Sequence, residues 1–290
     1  MGKDTQATKC STGILPVKGT FGKMPKPREQ TLPRRLQGTI QTMRYPALYF
    51  ETIIEQIRKV EERSLEAIHQ AVDRCVQCLQ NRGVIHIYDT GHLVSRELIN
   101  RAGGLVAFSP LTFDLTVNNP NPFREAQGLG AQTTPDTVRH IVSAALDRSR
   151  VQPNDVLIVG SVSGKTPFPV ELAIQARERG VFVIALTALD YSSKLSSEHA
   201  SGKRLFEVAD LVIDNGAPYG DGLLTIEGLD VPFCPASGIG AAVVLWALVA
   251  GIVERMTEAG TPPTVLASIN RPDGAERYKQ SIEQYRTRGY

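Results

Sequence analysis

The stretch from Asp155 to Leu189 constrains the chain more than any other, because its pattern fits one strand–helix–strand unit. Val156–Val159 is apolar and β-branched, and a turn of small, mostly polar residues follows. A helix-period segment then sets Leu172, Ala173 and Ala176 on one face, and Gly180 precedes a second apolar run ending at Leu189. Both runs are almost wholly apolar rather than alternating, as in parallel strands covered on both faces. The spacing therefore predicts an α/β fold: a doubly wound, three-layer αβα sandwich with a parallel sheet of about five strands.

The turn Ser161-Val162-Ser163-Gly164-Lys165-Thr166 follows the carboxyl end of a strand and precedes a helix with Pro167 and Pro169 in its first turn. Proline suits those positions because their N–H groups have no intrahelical acceptor. The remaining free N–H groups, the helix dipole and three hydroxyls would converge on an anion such as a phosphate. Gly164 permits a close backbone approach. A nucleotide P-loop is disfavoured, since that motif needs four residues between its glycines and Gly160 to Gly164 leaves three. An ordinary serine-rich turn is the competing reading.

Of 290 residues, 42% are hydrophobic, enough for a sizeable core. The formal charge of +2 is uneven: nine Lys/Arg and two Asp/Glu in residues 1–44 give +7, leaving −5 for residues 45–290. An acidic body argues against a nucleic-acid groove. The glycine- and proline-containing residues 1–44 read as a disordered basic tail, a contact arm or simply a tail without a role. No secretory signal is visible, and the longest apolar run, Ile239–Val253, falls short of a bilayer span, so it reads as a core helix. Cys75 and Cys78 form a CxxC within a helical pattern with no second ligand pair. They read as small core residues of a reduced, cytoplasmic protein without membrane association, rather than a metal or redox site. No metal set and no cofactor is expected.

Before the central unit, Ile53, Ile57, Val60, Ile68, Val72, Cys75 and Leu79 recur at helical spacing through Pro46–Leu79, as one long helix or two joined near Arg63. Val84–Tyr88 reads as the first strand, Asp89–His92 as a turn, Leu93–Arg101 as a helix and Leu105–Ser109 as a second strand. Thr112–Gly130 is a long irregular stretch in which Asn118, Asn119 and Arg124 either form a lid or belong to a variable loop. Later elements are helices at Pro135–Arg148 and Lys203–Val208, a strand at Leu211–Ile213, a buried helix at Ile239–Arg255 containing Trp246, an extended connection at Thr261–Asn270, and a polar helix at Ala275–Arg286. Ser192 and His199 sit at the ligand end as peripheral contacts, and Asp221 meets a hydroxyl or caps a turn.

The SxSGxT pattern of Ser161–Thr166 resembles the phosphate loop of the sugar isomerase (SIS) domain family. The resemblance extends to Ile85–Gly104, Ala185–Thr187, Ser196–Asn215, Gly220–Gly222 and Pro235–Glu254, and covers residues 45–290 as a single SIS-type domain with helical extensions at both ends. It implies a phosphorylated sugar as ligand, a homodimer, and either a sugar-phosphate isomerase or a non-catalytic phosphosugar sensor. Thr90, Gly91, Ser161, Ser163, Gly164, Lys165 and Thr166 would then hold the phosphosugar. Glu97 matches a glutamate in the site of phosphoheptose isomerase; it would move protons next to a carbonyl, with His92 as a second acid or base, unless Glu97 is a solvated helix residue and His92 only bonds a neighbour. Where the family's first turn reads GSGHS, this chain has Asp89 and Leu93 at the flanks, adding a charge and removing a hydroxyl.

Overall fold

The structure, a computed structural model, describes residues 44–90, 97–128 and 133–290. The proposed basic tail up to Met43, together with Gly91, His92 and Leu93, lies outside the described residues. Five parallel strands form the main sheet: β1 (Ile85–Asp89), β2 (Phe108–Pro110), β3 (Val156–Gly160), β4 (Phe182–Thr187) and β5 (Leu211–Asp214), in the order β2-β1-β3-β4-β5. Side chains alternate across it. Ile85, Ile87, Val156, Ile158, Ile184, Leu186 and Ile213 pack on one side. Leu157, Val159, Val183 and Ala185 pack on the other.

The first side is covered by α1 (Arg44–Gln80) and the long apolar helix near the C-terminus, Ser237–Glu258. The second is covered by helices Pro135–Arg148 and Pro167–Glu178. With the short helix Pro122–Ala126 counted as α2, these two become α3 and α4; Leu189–Ser192 is α5, Ser237–Glu258 is α6 and Gly274–Arg288 is α7. The layers are those of an αβα sandwich, and strands buried on both faces explain the unbroken apolar runs in the sequence.

Of the two readings of the first helix, the single one holds: α1 is continuous for 37 residues. Its apolar stripe includes a serine, Ser64, whose buried hydroxyl donates to the carbonyl of Asp214 at 2.7 Å and so ties α1 to the end of β5. Several boundaries depart from expectation. The second strand is Phe108–Pro110, because Leu105 and Val106 instead pair with the C-terminal connection: Leu105 bridges Val265, and the Val106 N–H donates to the carbonyl of Thr264 at 3.1 Å. The helix expected at Lys203–Val208 is only a 3-10 turn, Leu205–Glu207, since the Leu205 N–H is taken by the carbonyl of Gly164. An antiparallel hairpin of β6 (Gly222–Leu224) and β7 (Phe233–Pro235) forms where no strands were expected. Helix α6 extends past the apolar run to 22 residues, a length and apolarity that would cross a bilayer, yet Val244, Leu245, Leu248, Val249 and Ile252 sit in the core beside α1.

Strand order reverses between β1 and β3: from β1 the chain crosses to β2 on one side, and later elements add β3, β4 and β5 on the other. In open α/β sheets the crevice at the carboxyl ends of such neighbours is the usual ligand position. Here it is flanked by Asp89 and Gly160, which face each other in register.

Candidate functional site

The loop leaving β3 turns its carbonyls inward. That of Val162 accepts from the Thr187 hydroxyl at 3.1 Å and the Ala188 N–H at 3.1 Å. That of Gly164 accepts from Leu205 at 2.8 Å, and that of Lys165 from Glu198 at 2.9 Å. The N–H groups differ: among the described residues, none of the five from Val162 to Thr166 has an acceptor. The hydroxyls of Ser161, Ser163 and Thr166 likewise have no protein partner there, and Thr166, at the N-cap of α4, makes no side-chain cap bond. Unpartnered N–H groups at a helix start, backed by hydroxyls, have the chemistry that anion-binding concavities use.

Gly164 makes this curvature possible. Its φ is +58°, and a β-carbon there would lie 2.9 Å from the Ser192 hydroxyl and 3.2 Å from that of Thr187. Left-handed backbone and close packing both demand glycine. Ser192 is fully buried beneath the loop, which corrects its expected place as a peripheral contact. Lys165 extends from the loop to Glu198, Nζ to Oε1 2.5 Å.

The facing wall comes from β1, β5 and α6. The N–H and the hydroxyl of Thr90 both donate to the carbonyl of Gly160, at 3.2 and 3.3 Å, so Thr90 fastens the two strand ends together. Asp89, Ser161, Asn215, Ser237 and Gly238 line a crevice of about 20 Å³ between these elements, room for about one water. A phosphate does not fit inside that crevice. Asp221 caps α6: its Oδ1 accepts from the N–H of Ala236 at 3.0 Å and of Ser237 at 2.8 Å, and its Oδ2 from the Ser237 hydroxyl at 2.7 Å.

Glu97, 28% exposed, is not a free solvated carboxylate. It pairs with Arg101 at 2.9 Å and accepts from the indole N–H of Trp246 at 3.4 Å. Gly91 and His92, the remaining turn residues singled out by sequence, lie outside the described residues. His199 is held by two neighbours. Its Nε2 meets Oε2 of Glu171 at 2.8 Å, and its Nδ1 accepts the Ser201 N–H at 3.1 Å, which makes Nε2–H the donor to Glu171. Glu171 and Glu198 were not singled out by sequence; helix-face and loop glutamates carry no motif, and only the fold brings them beside the loop. Asn118, Asn119 and Arg124 are exposed, with Asn121 capping α2 through its bond from the Arg124 N–H at 3.1 Å. Cys75 and Cys78 are buried on α1 as free thiols; burial, with the neighbouring Asp155 charge, pushes Cys78 up to about 11.

The description "SIS domain" matches residues 48–188 of the chain. A UPF0309 protein of Geobacillus thermodenitrificans is 32% identical over 242 residues, covering 83% of this chain and 94% of its own length. One from Halalkalibacterium halodurans is 35% identical over 243 residues, covering 83% and 94%. Among solved structures, a phosphoheptose isomerase from Neisseria gonorrhoeae covers 72% of this chain and 97% of its own at 20% identity and a TM-score of 0.46. Relatives above 30% identity along nearly their whole length, and a domain match that takes in the serine-rich loop, give one conclusion: the chain belongs to the SIS domain family, in its UPF0309 group.

Proposed function

We propose that the protein binds a phosphorylated sugar at the Ser161–Thr166 loop and isomerises it, or carries out a related proton transfer next to a carbonyl. The observation carrying this reading is the set of five consecutive N–H groups and three hydroxyls that have no protein partner among the described residues, at the strand-order reversal. Family membership supports it. Ser161, Ser163 and Thr166 with the N–H groups of Gly164 and Lys165 hold the phosphate, and Thr90 and Gly91 border it from the β1 turn. Glu97 takes the proton from C2 of the sugar and returns it to C1 through an enediolate, with His92 moving the hydroxyl proton. Glu97 must leave Arg101 or act while paired with it, and that engagement favours a second reading, a sensor that binds the phosphosugar without turning it over.

Exchange of solvent deuterium into C2 of aldose phosphates separates the two. The isomerase reading expects exchange that falls by about a hundredfold in Glu97→Gln with binding retained, within the range for loss of a general base. Binding without exchange, unchanged in Glu97→Gln, supports the sensor and removes the enzyme. The partner state proposed is a homodimer formed through exposed apolar residues of α1, Phe50 at 66% and Ile54 at 51% exposure.

A further inference from the structure

Away from the serine loop, a cavity of about 800 Å³ opens on the α3 side of the sheet, beside the edge strand β2. Phe113 and Ile141 supply apolar wall, Arg148 and Arg150 stand at the C-terminal end of α3, Asp114 and His140 face in, and His86 contributes from β1. His86 is 3% exposed and stands between Ile85 and Ile87 in β1. Its Nε2 lies 3.1 Å from Oδ2 of Asp155, itself 3% exposed. Asp155 also accepts the N–H of Val84 at 2.8 Å and of Gln152 at 2.8 Å. A carboxylate used as acceptor on both oxygens takes Nε2–H as its donor, so a ring carrying one proton keeps its lone pair on Nδ1. Among the described residues Nδ1 has no hydrogen-bond partner.

His86 lines the cavity, and its Nδ1 is not among the side-chain atoms sealed from solvent without a partner, so that nitrogen is open to a donor held in the cavity. Arg148 and Arg150 are exposed at the cavity's rim, and among the described residues neither has an ion-pair partner. The cavity lies within the size range of small-molecule sites. We propose that it is a second ligand site, taking a small organic monoanion with an apolar body, whose acid group is held by Arg148 and Arg150 and whose hydroxyl or amine donates to Nδ1 of His86. Asp114 repels a second acid group, so one anionic charge is the limit. This proposal does not rest on the phosphosugar reading.

The probe is 4-hydroxyphenylacetate, compared with phenylacetate, which lacks the hydroxyl, and with 4-hydroxyphenethyl alcohol, which lacks the acid. Binding to the full chain is read by saturation-transfer NMR and calorimetry, and the His86 ring nitrogens by 15N shifts. The expected result is that 4-hydroxyphenylacetate binds, moves the Nδ1 signal and loses about tenfold in affinity in the exposed double variant Arg148→Ala/Arg150→Ala, with both analogues weaker. Ser161→Ala/Ser163→Ala leaves this binding unchanged, which separates it from the loop. No binding at about 10 mM, or binding that ignores the arginine substitutions or leaves Nδ1 unmoved, overturns the proposal.

Discussion

At the scale of single residues, the buried Asp155 sets a testable dependence on pH. Burial by itself raises its pKa, but the His86 bond and the N–H groups of Val84 and Gln152 outweigh that and hold it below the usual carboxylate value. A group depressed in the folded state adds stability above the unfolded pKa, and that contribution fades as pH falls from about 4 downward. Asp155→Asn is expected to lower stability by roughly 1–3 kcal/mol at neutral pH and to flatten the acid limb of a melting-temperature profile. An unchanged limb would show that the pair is not coupled to folding. Gly164→Ala makes a second case. Forcing a side chain into φ +58° against Ser192 is expected to cost about 1 kcal/mol or more and to disturb the loop, read together by thermal melts and ligand titration.

Among the elements, the close approach of α1 and α6 is the decisive packing. A β-carbon on Gly251 would lie 2.5 Å from Cγ2 of Val72, so Gly251→Val pushes the helices apart and is expected to destabilise by about 1–3 kcal/mol in denaturant unfolding. A neutral result would mean the two helices can slide. Helices and parallel strands with long apolar periods were legible in the sequence, as Pro135–Arg148 and the central unit show. The β6–β7 hairpin was not, because its six residues are short, lack clean alternation and are anchored through the Asp221 cap on a helix that starts later in the chain. The 3-10 turn at Leu205–Glu207 was over-read as a helix for a similar reason: its backbone is committed to the serine loop rather than to its own turns. In the candidate site the loop itself was readable, since small residues between strand and helix have a local meaning. The links to Glu171, Glu198, Asn215 and His86 were not, because they join residues distant in sequence.

For the whole molecule, two expectations follow. A homodimer through the exposed face of α1 predicts twice the monomer mass in light scattering, lost in Phe50→Asp/Ile54→Asp with secondary structure kept; a monomeric wild type removes the proposal. The central claim is that the free N–H groups and hydroxyls after β3 receive a phosphate carried by a sugar. Its most direct test is calorimetry of the wild type and of Ser161→Ala/Ser163→Ala against matched pairs of phosphorylated and unphosphorylated aldoses and ketoses. At least one phosphosugar is expected to bind while its unphosphorylated partner does not, with affinity falling by about tenfold or more in the double variant. Equal binding of both members of every pair, or no binding of any phosphosugar, would contradict it.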